Sequence, residues 1–215
     1  MSILILQFLL AVMFLTIIYL HSAKKNLGAA LAYGLQSLMI VIFVASSFFE
    51  TGRVSLLFLG LTILIIKVIL APMFFSRLIK KHRLYYSVST YLNMPLTLIV
   101  VAVLTAVAYS ETFVPLTDIV AGARPLLQLA LAATFLSLLL IVNRKGALSQ
   151  IIGVLSLENS IVAFAIVAGL EQSFSLQIGI LFDILVWLMV ATVFISMIYK
   201  HFGSLNVTAM SHLKD

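Results

Sequence analysis

Residues 149–169 read S-Q-I-I-G-V-L-S-L-E-N-S-I-V-A-F-A-I-V-A-G, an apolar run with Glu158 near its middle. A second run, 176–199, carries Gly179-Ile180-Leu181-Phe182-Asp183 and places another carboxylate far from either end. Both runs reach the ~20 residues that a helix needs to cross ~30 Å of hydrocarbon. A charge at bilayer depth costs at least ~3 kcal/mol on insertion scales, so such residues are rare and often serve ion or proton transfer. The competing role is packing: a protonated carboxylic acid hydrogen-bonded to a neighbouring helix.

Working outward, the rest of the chain has the same character. Of 215 residues, 63% are hydrophobic and 9% charged, against about a quarter charged in soluble domains. Five more apolar runs precede the carboxylate pair, at 2–20, 27–48, 54–75, 92–109 and 124–142. The first has no basic segment before it and is followed by Lys24 and Lys25, so it reads as a retained helix rather than a signal peptide. Gly28, Gly34 and Ser37 in the second permit close helix approach, and Gln36 there requires a partner. The third contains Lys67 and, near its end, Pro72. Pro95 and Pro125 stand in first turns, where a missing N–H is tolerated. The expected fold is all-α, a polytopic membrane helix bundle of seven transmembrane helices.

Charge placement orients that bundle. Lys24, Lys25, Arg77, Lys80, Lys81, Arg83, Arg144, Lys145, Lys200 and Lys214 fall in alternate loops and the tail, opposed there only by Asp215. The other loops carry Arg53 and Arg124 against Glu50, Glu111, Asp118 and Glu171. The positive-inside rule then puts the N-terminus outside and the C-terminus inside. The net charge of +6 therefore follows topology, and nucleic acid is not an expected partner. The segment 76–91 is the most basic and includes Tyr85, Tyr86 and Tyr91. It reads as topology signal with interfacial aromatics, or as a docking surface for a soluble partner or anionic lipid.

Composition also excludes chemistry. With no cysteine, the chain offers no thiolate for nickel, zinc or an iron–sulfur cluster. His21, His82, His201 and His212 all lie outside the apolar runs, which disfavours a buried haem, and no phosphate-binding glycine motif is present. No cofactor, metal or catalytic centre is expected within this chain.

The buried charges remain. With the last two runs as an antiparallel hairpin, Glu158 lies roughly 18 Å and Asp183 roughly 12 Å below the outer loop at 1.5 Å per residue. A helix spacing of about 8–10 Å then separates the carboxylates by on the order of 10 Å, the span of a few waters. Lys67 falls roughly 20 Å from the outer end of its helix, close to the depth of Glu158. Burial and a nearby ammonium act in opposite senses on a carboxyl, a balance that suits proton exchange. Lys67 is equally able to snorkel toward the inner surface. Asn159 and Ser160, beside Glu158, are candidates to bind water or to cap neighbouring backbone.

Residues 144–169 (opening R-K-G-A-L-S-Q-I-I-G-V-L-S-L-E-N-S-I-V), 178–186 (I-G-I-L-F-D-I-L-V), 66–72 (I-K-V-I-L-A-P), Gln36-Ser37-Leu38 and 201–206 (H-F-G-S-L-N) resemble hydrogenase-4 component E. This is a membrane subunit of group 4 [NiFe]-hydrogenase and formate hydrogenlyase-type complexes. Residues 124–199 also resemble the K subunit of respiratory complex I and the C subunit of multisubunit cation/proton antiporters. The resemblance divides one membrane domain into four N-terminal helices over 1–110, that three-helix unit, and a cytoplasmic tail over 200–215.

It implies a non-redox subunit of the cell membrane that forms part of a proton or cation path, with Glu158 and Asp183 as relay groups and Lys67 tuning them. Asn159, Ser160 and Gln36 are possible supporting groups. Implied partners are antiporter-like membrane subunits, a membrane anchor subunit and a soluble hydrogenase arm that holds the nickel–iron site and clusters, together with lipids. The chain would be a subunit of an oxidoreductase without catalysing the redox step. The family often shows L-E-N-G where this chain has Leu157-Glu158-Asn159-Ser160, and the K subunit has glutamate at the position of Asp183. A structural adaptor that fastens the soluble arm through its basic loops is the rival role.

Overall fold

The computed structural model describes residues 3–120 and 122–169. The seventh apolar run, with Asp183, and the tail with His201 and His212 lie outside the described residues. Within them the chain is all-helical: α1 (Ile3–Ser22), α2 (Asn26–Thr51), α3 (Val54–Lys81), α4 (Met94–Ala108), the short α5 (Glu111–Thr117), α6 (Arg124–Asn143) and α7 (Ala147–Val167). Five of these are long and apolar enough to cross a membrane, and a sixth span results if α4 and α5, bent by 52°, are taken together. Helices suit such a solvent because every backbone bond closes within the segment.

Three features differ from the sequence expectation. Helix α3 continues to Lys81, past the end expected at residue 75. Arg77, Lys80 and Lys81 are exposed on its last turns while Phe75, Leu78 and Ile79 are buried. Cations at a helix C-terminus are favoured by the macrodipole, so a basic stretch extends the helix there. The basic loop therefore begins only at His82. Secondly, α4 stops at Ala108, before a Tyr109-Ser110 break, and the chain turns into α5, whose α-helical part Val114–Thr117 has Pro115 in its first turn.

Thirdly, α3 is not a regular α-helix throughout. Residues Leu64–Leu70 form a π-helical turn, with the Ala71 N–H bonded to the Ile66 carbonyl. Pro72 supplies a cause: it has no N–H to give Val68, and its ring clashes with that carbonyl in a regular helix. The widened turn lets the helix continue through the proline.

Packing follows small residues. A Cβ on Gly153 of α7 would stand 2.9 Å from Ile141 Cγ1 and 3.2 Å from its backbone nitrogen, so α6 and α7 approach closely there. Gly34 plays the same part for α2 and α3, where an added Cβ would stand 3.0 Å from Pro72 Cγ. The buried core runs through α1, α2, α3, α6 and α7, with Met13, Ile17, Tyr33, Phe43, Phe75 and Leu136 fully enclosed.

One end of the bundle is sewn together by the loop 82–93. This strap runs extended between the α1–α2 and α6–α7 connections, with isolated antiparallel bridges at Lys25–Tyr86 and Thr90–Arg144. Asn26 Nδ2 donates to the carbonyls of Leu84 and Tyr86 at 2.8 and 3.0 Å. At the strap's other end, the Asn143 amide accepts from the Leu92 N–H and donates to Thr97 Oγ1. All three connections carry basic residues, so this is called the basic end below.

Candidate functional site

Glu158 is the twelfth residue of α7 by its bounds, roughly 16 Å from the basic end and roughly 13 Å from the other at 1.5 Å per residue. Lys67 reaches it from the π turn of α3. The ammonium Nζ lies 2.6 Å from Glu158 Oε1 and donates to Asn159 Oδ1 at 3.1 Å. The Lys67 side chain is 2% exposed and that of Glu158 22%. A short contact between ionised groups is the strong kind of hydrogen bond, and a buried pair keeps its attraction only when neighbours satisfy its remaining bonds. Lys67 is thus drawn inward and does not snorkel.

The neighbours form a directed chain. Asn159 turns its carbonyl oxygen to Lys67 and donates through Nδ2 to Ser37 Oγ at 3.1 Å. Ser37 in turn donates to the Tyr33 carbonyl at 3.1 Å. Because this last acceptor is backbone, the Ser37 hydrogen is committed and the Asn159 amide is held with its oxygen toward the ammonium. Three helices meet here: α2 through Ser37, α3 through Lys67, and α7 through Glu158 and Asn159. The π turn is a structural reason why α3 presents Lys67 at this height, since an inserted wide turn re-aims the side chains it carries.

The other expected residues are placed unevenly. Ser160, fully buried, turns away from the pair toward α6. It donates to the Ser156 carbonyl at 2.9 Å and stands 3.2 Å from Ser137 Oγ. Gln36 is buried beside Ser37, and neither atom of its amide has a hydrogen-bond partner among the described residues. Asp183 lies outside those residues.

Two features escaped the sequence reading. Ser37 was counted only as a small residue, yet it orients Asn159. The signal available was its spacing: Tyr33 and Ser37 are four apart and share a helix face with the adjacent Gln36. Arg144 was counted only as a topology charge. It is 4% exposed and lies at the C-terminus of α1. Its guanidinium donates to the carbonyls of Leu20, of His21 at 2.9 Å and of Ala23 at 3.1 Å, and to Ser87 Oγ of the strap at 3.0 Å. Those carbonyls are among the ones a helix end leaves unsatisfied. Burial pushes the Arg144 guanidinium down from its ordinary value, and an arginine remains charged regardless.

The basic residues and tyrosines of the basic end split between packing and exposure. Lys145 stands 4.8 Å over the Tyr91 ring, a cation–π contact. Lys24, Lys25, Arg83, Tyr85 and Tyr86 are exposed. No group of three or more His, Asp or Glu side chains suited to hold a metal occurs among the described residues. Compared with known proteins, the chain matches no family model, no curated protein and no solved structure.

Proposed function

We propose that this chain is a non-redox subunit of a membrane-bound oxidoreductase complex and provides part of a proton or cation path. The observation that carries the reading is the Lys67–Glu158 contact at mid-depth, oriented by Asn159 and Ser37. A buried acid–base pair is expensive to keep, and an intramembrane ionisable residue is by default a functional one. Glu158 serves as a relay group, Lys67 sets when it gives up or takes a proton, and Asp183 is the next carboxylate on the path. The resemblance of residues 144–169 and 178–186 to hydrogenase-4 component E supports a hydrogenase or complex I-like setting. There, partner subunits hold the nickel–iron site and the clusters. The full arrangement is seven spans in the cell membrane with the N-terminus outside and the basic end facing the cytoplasm, as the loop charges favour. Each charge moved against 100 mV stores about 2.3 kcal/mol.

A structural adaptor is the second reading. The exposed Lys24, Lys25, Arg83, Tyr85 and Tyr86 favour it, because they present one basic face to a soluble arm or to anionic lipid. The test uses the assembled complex in sealed vesicles carrying Glu158→Gln, with redox turnover and ion-gradient formation recorded together. Loss of the gradient, or of the turnover tied to it, is expected. An assembled complex with unchanged turnover and gradient would leave the adaptor standing in its place.

A further inference from the structure

The polar side chains around the Lys67–Glu158 pair are distributed to one side of it. Helices α2 and α7 both begin at the basic end, at Asn26 and Ala147, and touch where Ser37 accepts from Asn159. On the basic-end side of that contact stand Ser156 Oγ of α7 and, next to Ser37 in the sequence of α2, the Gln36 amide, both buried and both without a hydrogen-bond partner among the described residues. Ser156 is three residues, roughly 4.5 Å, below Asn159 on α7. The Tyr33 hydroxyl is buried on the same side, close to Ser37 but outside hydrogen-bond geometry. Buried polar groups are almost always bonded to protein or to water, so a cluster of exceptions calls for an explanation.

The seam between α2 and α7 ends in a cavity. Ala29 of α2 and Ser149 and Ile152 of α7, with Leu20 and Arg144, line a space of about 10 Å³ at the basic end. That is about the room of one water, and Arg144 and Ser149 supply polar atoms to hold it. From Ser149 to Ser156 is seven residues, roughly 10 Å, or a file of a few waters.

The opposite half is different. Beyond Ser37, Lys67 and Asn159 the same three helices continue with buried Ile40, Phe43, Val44, Ile63 and Ala163. Ser137 and Ser160 do not break this pattern. Ser160 gives its proton to the Ser156 carbonyl, so Ser137 must donate to Ser160, and both hydroxyls are spent. Thr134, one turn farther along α6, donates to the Ala130 carbonyl.

We infer that Gln36, Tyr33 and Ser156 line a one-sided aqueous access path joining the Lys67–Glu158 pair to the basic end, and that within the described helices the pair is sealed from the opposite end. The inference rests on the reading of this pair as a transfer site and adds the side from which it is loaded. An ion leaving toward the opposite end then passes through groups other than the described part of this chain.

The absence of native cysteine allows a direct test. Single cysteines are placed at Ser156 and Gln36 on the access side, at Ile40 and Ala163 on the sealed side, and at exposed Lys25 as a control. The assembled complex is held in right-side-out and inverted sealed vesicles. Silver ion, small and membrane-impermeant, is added outside; after washing and denaturation in detergent, the remaining thiols on this chain are counted with a maleimide. The expected result is loss of maleimide labelling at Ser156→Cys and Gln36→Cys only in vesicles that expose the basic end, as at Lys25→Cys, with Ile40→Cys and Ala163→Cys labelled fully in both. Silver protection of Ile40→Cys or Ala163→Cys, or full labelling of Ser156→Cys in both orientations while Lys25→Cys is blocked, overturns it. Should Gln36→Cys fail to assemble, Ser156→Cys changes a single atom and decides alone. The relay reading fails separately, through an indifferent Glu158→Gln, so the two failures are told apart.

Discussion

Among the described residues, one buried polar network lies at mid-depth around Lys67 and Glu158 and another at the basic end around Arg144, Asn143 and Asn26. At the basic end the donors go mostly to backbone carbonyls: those of Leu20, His21 and Ala23 from Arg144, and those of Leu84 and Tyr86 from Asn26. Such a network completes helix ends and ties loops together, with its guanidinium fixed in a fork of acceptors. At mid-depth an ammonium and a carboxylate face each other directly, and unbonded Gln36 and Ser156 lie alongside. Burial of charge alone therefore does not mark function here. What separates the networks is whether the charge ends on backbone or on another titratable group.

The largest expected effects break one network and spare the other. Lys67→Met leaves the Glu158 charge without its ammonium and should lower stability by about 3–5 kcal/mol, the cost of breaking a buried pair by one partner. Adding Glu158→Gln should recover most of that loss. Denaturant unfolding in detergent, followed by helix content, measures both. A double variant no more stable than the single one would mean that the pair is not what holds these helices.

Arg144→Ala should lose about 3 kcal/mol or more, because hydrogen bonds to charged groups are worth ~1.5–3 kcal/mol and several carbonyls lose their donor. Arg144→Lys should recover only part, since a point ammonium cannot fork across the same acceptors. Limited proteolysis of the 82–93 strap offers a local readout: both variants should be cut faster there, and a wild-type rate would contradict the clamp.

Pro72→Ala sharpens the comparison, because stability and activity should move in opposite directions. The regular ladder can close, a gain on the order of 1–3 kcal/mol, while the π turn that presents Lys67 is removed and gradient formation falls. Simultaneous gains in both would show that the π turn does not serve the site. The smallest effect belongs to Glu111→Gln. Its carboxylate is 91% exposed and 3.6 Å from Arg124, and surface pairs of this kind contribute little. Thermal unfolding should be unchanged within error.

The five long apolar helices were legible because crossing a bilayer takes about 20 apolar residues, a signal independent of packing. Lys67 and Glu158 were legible as a depth match, since helix rise converts residue number into height without a tertiary structure. Their partners were less so. The spacing of Tyr33 and Ser37 gives a shared helix face, but that this face meets Asn159 is set by how the neighbouring helices pack. The π turn left only Pro72 as a trace, and proline also ends or kinks helices. The strap was least legible: extended and without periodicity, it takes its shape from Asn26, Asn143 and Arg144, which are distant in sequence. Arg144 stands among the basic loop residues as a surface lysine would, and that company concealed its burial.

The most direct measurement puts Lys67→Met with Glu158→Gln, in one assembled complex, into sealed vesicles and records gradient formation against redox turnover. Removing both charges together keeps the helices packed, so a structural role leaves the gradient intact. Transfer through the pair predicts a stable, assembled complex that forms no gradient. A gradient at the unmodified level in that double variant would contradict the account.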